Sequence, residues 1–116
     1  MLSTKLDNVT LTPTLIGVEY HATVHDIPVD DRPRERLQKH GAESLSNSDL
    51  VAIILRNGSQ RENVMELASK ILVKYGGLSG LMSASFHELC NEYGLGTAKA
   101  AQLKAALEMG KRLSME

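Results

Sequence analysis
Aromatic side chains are nearly missing from this chain, which has one phenylalanine, three tyrosines and no tryptophan. Phe86, Tyr20, Tyr75 and Tyr93 cannot fill a core between them. Leu, Ile, Val, Ala and Met must do so, as they do in a small helical bundle. Cysteine is equally scarce. Cys90 alone excludes an internal disulfide and a Cys-rich zinc site, and makes a reducing cytoplasm the default compartment. Within the pattern Phe86, Leu89, Cys90, Tyr93 it reads as a core thiol. No apolar run approaches the ~20 residues of a membrane span, and no charged-then-apolar leader opens the chain. An excess of one charge is also lacking. The 116 residues carry a net −1, which argues against a strongly basic nucleic-acid binder. The balance is uneven, however. Residues 1–31 hold Lys5 against Asp7, Glu19, Asp26, Asp30 and Asp31, a sum of −4 that leaves +3 on the rest. A mildly basic body permits phosphate contact without demanding it.

Two parts differ in pattern. Residues 1–27 form an N-terminal extension, rich in Thr and Val and without helical period. Ile16, Val18, Tyr20, Ala22 and Val24 alternate with Gly17, Glu19, His21 and Thr23, a strand pattern. A lone strand has no partner, so this extension is read as a loosely held tail or a single strand. Residues 28–116 read as one all-α domain of about five helices with short links. The first helix fits Pro33 to Lys39, closed by Gly41. Ser46 with Asp49 makes a capping box before Leu50 to Leu55, and Asn57-Gly58 ends that helix. Ser59 with Glu62 repeats the device ahead of Val64, Leu67, Ala68, Ile71, Leu72 and Tyr75, which Gly76-Gly77 stops. Leu78 to Met82 is a short helical turn or a connection. Ser85 with Glu88 caps again, and from Thr97 a stripe of Ala100, Leu103, Ala106, Leu107 and Gly110 marks the last helix.

The stretch YGLGTAKAAQL, residues 93–103, carries the chemistry. Gly94 permits the left-handed backbone that ends one helix, and Leu95 can pin the turn to the core. Gly96 precedes the next helix, whose first amides have no internal partner and whose dipole is positive there. A phosphate oxygen could reach the amides around Gly94, Leu95 and Gly96 and those of Thr97 and Ala98 at the start of that helix, with Lys99 adding charge. Small residues at 98, 100 and 101 let two helices approach. This is the pattern of a helix-hairpin-helix, which binds DNA backbone without reading sequence. A plain helix-packing turn fits the spacing as well.

The run IPVDDRPRERLQKHGAESLSNSDLVAIILRNGS, then KYGGLSGLMSAS, then HELCNEYGLGTAKAAQLKAALEMGKRL closely resembles the N-terminal domain of bacterial RadC proteins. The match runs from residue 27 to about 113. The resemblance implies a helix-hairpin-helix module of the kind found in DNA-junction proteins, tied to DNA repair. In full-length relatives it precedes a JAMM-type metallopeptidase-like domain with an H-x-H-P and downstream Asp zinc motif. That motif does not occur here, so the expectation is an isolated N-terminal domain whose C-terminal region is absent. Many such hairpins have Lys or Pro before the first glycine. Tyr93 stands there instead and weakens the cationic character of the turn.

Other candidate sites are weaker. Arg56, Asn57, Gly58 and Ser59 form a second, degenerate hairpin, with Arg61, Lys70 and Lys74 nearby against Glu62 and Glu66; an ordinary capped link fits equally. Lys104 and Lys111 share a flank of the last helix, either as phosphate contacts or as a solvated face. Arg32, Arg34 and Arg36 sit among acids and read as a locally paired structural element. His21 and His25 lie ~13 Å apart on a strand, too far to share a metal ion. No nucleophile–base–acid set and no P-loop appears. The chain therefore reads as a non-enzymatic, cofactor-free, cytoplasmic module whose expected partner is DNA. The alternative is an interaction domain that positions the absent C-terminal domain or another protein.

Overall fold
A computed structural model describes residues 32–116. The expected extension at residues 1–27, its strand and the histidine pair lie outside the described residues. Six α-helices follow in chain order: α1 (Pro33–His40), α2 (Asn47–Leu55), α3 (Val64–Tyr75), α4 (Gly77–Ser83), α5 (Phe86–Cys90) and α6 (Gly96–Met115). A 3-10 turn at Ala42–Ser44 joins the first two. No strand occurs among the described residues, so the all-α class holds.

Local chemistry sets most boundaries. Pro33 opens α1, and Gly41, at φ +90°, closes it. Ser46 caps α2 and Ser85 caps α5 through reciprocal boxes with Asp49 and Glu88, as their spacing predicts. The expected box at Ser59 and Glu62 is not a helix start. Asn63 and Glu66 form that box instead, four residues on, and α3 begins at Val64. Both quartets satisfy the same template; Asn63 takes the extended cap conformation, and Ser59 Oγ instead accepts the amides of Arg61 and Glu62 within the connecting turn. Gly76, left-handed at φ +83°, ends α3. Residues 78–82 belong to α4, a seven-residue helix that brings the total among the described residues to six where about five are expected.

Helix α3 packs on α2 and α4, while α6 packs on α2, α4 and α5. Leu55, Leu67, Ile71, Leu81, Leu89 and Leu103 are the largest fully buried side chains, one or two from each of α2 to α6. Burying each contributes about 1.5–3 kcal/mol, so the core rests on aliphatic side chains as composition predicts. Two residues depart from the expected stripe on α5. Cys90 is half-buried against the core, but Phe86 and Tyr93 are exposed. At five residues, α5 is too short to bury more than the face that carries Leu89.

Candidate functional site
Two helix pairs meet at their turns. The first turn, 56–63, joins α2 to α3; the second, Asn91–Leu95, joins α5 to α6. A Cβ built on Gly94 would lie 3.0 Å from Leu67 Cδ1 and 3.4 Å from Ser59 Cβ, so the turns touch. Gly94 at φ +94° and Gly96 at φ +67° take backbone that only glycine adopts freely. Between them Leu95 is buried, pinning the turn to the core as its spacing predicts.

The amides at the start of α6 are open. Among the described residues no side chain caps this helix, no acid lies in its first turn, and Gly96, Thr97 and Ala98 are exposed. A Cβ on Gly96 would meet nothing within 4 Å. The lysine expected to add charge there is committed elsewhere. Lys99 Nζ donates to the carbonyls of Asn57 at 2.6 Å, Gly58 at 3.0 Å and Gly94 at 3.4 Å. It therefore clamps one turn to the other, and burial pushes its ammonium below the ordinary lysine value. Lys104 is committed too. Its ammonium donates to the carbonyls of Met82 at 2.7 Å and Ala84 at 2.6 Å, closing the C-terminal end of α4. Lys111 sits on the exposed distal part of α6.

A different cation stands at the turns. The Arg61 guanidinium lies 3.8 Å from the centroid of the Tyr93 ring, and Lys70 Nζ lies 5.8 Å from it. Lys70 is also paired with Glu62 at 2.8 Å, whereas Arg61 has no acidic partner among the described residues. Tyr93 thus holds an arginine beside the turn rather than merely displacing a cation from it. Below it, Glu92 accepts from Lys74 Nζ at 2.8 Å and Tyr75 Oη at 3.0 Å. The Lys74 bond, outweighing burial, holds this carboxyl below its usual range.

The model of the UPF0758 N-terminal family matches residues 24–101. The chain belongs to that family. As the N-terminal region of the RadC family, it is what the motifs RPRERL, GGLSGL and GLGTAKAAQL pointed to. A UPF0758 protein of Roseiflexus castenholzii is 50% identical over 95 residues, covering 82% of this chain and 41% of its own length. One from Caldanaerobacter subterraneus is 44% identical over 100 residues, 86% and 43% respectively. One from Desulfitobacterium hafniense is 52% identical over 87 residues, 75% and 38%. The chain thus spans about two fifths of the length of the curated relatives it matches. No solved structure matches it. Among the described residues, no helix of this UPF0758 domain is long and apolar enough to cross a membrane.

Sequence spacing located Gly94–Ala98 and the neighbouring Asn57–Ser59 turn, and the fold brings them together. It did not single out Arg61 as a site residue, because no local signal ties it to Tyr93, 32 residues away.

Proposed function
We propose that this UPF0758 domain is a helix-hairpin-helix module that grips DNA backbone without reading sequence. One observation carries the reading: the uncapped, sterically open amides of Gly96–Ala98, with an acid-free guanidinium, Arg61, on the adjoining Tyr93. Amides at a helix N-terminus favour an anion, and an arginine can add a bidentate contact to the same or the next phosphate. Such contacts position a protein on DNA but carry no base information.

Fluorescence anisotropy with duplex, single-stranded and branched DNA tests it. Two or three phosphate contacts predict a roughly 10- to 40-fold loss of affinity between 50 and 200 mM salt. Ala98→Glu is the informative variant. A carboxylate in the first turn favours the helix dipole, so the fold holds while phosphate is repelled. Binding should fall at least tenfold in Ala98→Glu and again in Arg61→Glu. Equal binding by wild type and both variants, or none at high micromolar protein, sinks the proposal.

A second reading has its own observation. Met109, Leu113 and Met115 are each more than 70% exposed on the distal part of α6. They suit a positioning role toward another domain or protein. Replacing Met109 and Leu113 by Ser should leave the melting temperature of this chain unchanged. In a chain of the relatives' full length the same change should lower it; no change in either chain removes this reading.

A further inference from the structure
A cavity of about 270 Å³ lies on the α1 side of the Asn57 turn. Among the described residues its apolar floor is Pro33, Ala52, Ile53 and Val64, of which Ile53 is half-buried and the other three buried. Around it stand Arg34 and Arg56, both exposed, with the Asn57 amide and the Glu35 carboxylate. Arg56 has no acidic partner among the described residues.

The backbone at Arg56 adds to the argument. It holds φ +76° and ψ −50°, and the Asn57 amide bonds back to the Leu55 carbonyl at 2.9 Å. This is a γ-turn of the strained, positive-φ kind. Arg56 is the only non-glycine with positive φ among the described residues. A glycine would relax there, yet the position carries a long cation at the mouth of a cavity. Strain that persists at a polar side chain points toward a role for that side chain.

We infer that this cavity binds one nucleotide unit, its base against the apolar floor and its phosphate on Arg34 and Arg56. A flat apolar ring with an attached anion matches apolar lining beside arginines that outnumber the one carboxylate, Glu35, among the described residues, and the Asn57 side-chain amide can both donate to and accept from a base edge. At 270 Å³ the space falls just below the ~300–1,000 Å³ of pockets for larger ligands, so it admits a single unit. A free deoxynucleotide and an unpaired nucleotide of a DNA strand share this chemistry. For the strand, the inference rests on the backbone-binding reading above; for the free nucleotide it stands alone.

Amide chemical shifts of the ¹⁵N-labelled chain, followed in titrations, test it. The probes are inorganic phosphate, deoxyadenosine monophosphate, an eight-nucleotide thymidine strand and a blunt duplex. The monophosphate should move Ala52, Arg56, Asn57 and Val64, and inorganic phosphate at the same concentration should move Ala52 and Val64 less than half as far. The thymidine strand should move the same four amides and also Gly96–Ala98, whereas the duplex should move only the latter. Arg56→Gly should weaken the monophosphate response at least fivefold while the melting temperature stays equal or rises. Silence at Ala52 and Val64, equal movement by phosphate alone, or an Arg56→Gly variant that responds as wild type would overturn the inference. Loss of the Gly96–Ala98 response alone would instead count against backbone binding and leave the free-nucleotide pocket standing.

Discussion
At the scale of single residues, the lysine beside the glycine turn holds structure together rather than presenting charge to solvent. Lys99 reaches carbonyls 41 and 42 residues away. Lys99→Met keeps most of the stem and removes the ammonium, leaving the Asn57, Gly58 and Gly94 oxygens without this donor. The expected cost is about 1–3 kcal/mol, or roughly 4–8 °C in melting temperature per kcal/mol for a domain of this size. A calorimetric melting temperature within 1 °C of wild type would refute the clamp. For the same reason Lys99→Glu is a poor probe of DNA binding, because lost affinity and lost structure would coincide. Asp49 makes a second residue-scale case. Burial acts to raise its carboxyl, but the Arg36 guanidinium and Ser46 together outweigh burial and hold it below its ordinary value. A carboxyl depressed in the folded state contributes stability above the unfolded value of 3.8, and that stability is lost as pH falls through the folded value. Stability measured by urea titration should therefore fall below about pH 4 in wild type. Asp49→Asn should start lower at pH 7 and fall less steeply, since its side chain no longer titrates. Parallel acid limbs in the two proteins would show that Asp49 contributes none of the slope.

At the scale of elements, the glycines separate turns that need space from turns that need only a backbone conformation. A Cβ on Gly80 would sit 1.5 Å from the Tyr75 carbonyl oxygen, and one on Gly58 would sit 2.2 Å from that of Glu62. These are backbone atoms, so the α3–α4 and α2–α3 connections would have to open. A Cβ on Gly96 meets nothing, and only its φ of +67° resists. Gly80→Ala and Gly58→Ala should each cost about 3 kcal/mol, against about 1 kcal/mol for Gly96→Ala. A chemical denaturation series that ranks Gly96→Ala as the most damaging would contradict this division. The same contrast explains what was legible in the sequence. Caps are local: Ser46 with Asp49, Ser85 with Glu88 and Gly76 after Tyr75 could be read because donor and acceptor lie within four residues. The α3 start was misplaced because Ser59–Glu62 and Asn63–Glu66 offer the same signal twice in succession. Helix α4 was ambiguous because two glycines in seven residues hide a helix that close packing on Tyr75 sustains. The turn with Gly94 and Gly96 was legible for an equally local reason. The Lys99 clamp, the Arg61–Tyr93 stack and the Arg34–Arg56 cavity were not, since each joins residues that only the tertiary fold brings together.

Across the whole molecule, stability is concentrated at one end of the longest element. Ala100 and Leu103 of α6 are buried and Leu107 is half-buried against the core, but every residue from Met109 to Glu116 is exposed. The distal turns of α6 are held by their own backbone bonds and by one exposed pair, Arg112 with Glu108 at 2.9 Å. Such a pair contributes only a few tenths of a kcal/mol, and two isolated turns of helix are marginal in water. Hydrogen exchange should therefore divide α6. Amides from Leu103 to Leu107 should exchange at the rate of global unfolding, and those from Leu113 on should exchange by local fraying. Gly110 offers the handle. A Cβ there meets nothing, and Ala exceeds Gly in helix propensity by roughly 1 kcal/mol. Gly110→Ala should slow exchange at residues 111–114 severalfold while leaving the melting temperature and the protection of Leu103 unchanged. A matching rise in melting temperature would mean that the distal turns fold as one unit with the core, and that the exposed Met109 and Leu113 face is rigidly presented rather than frayed.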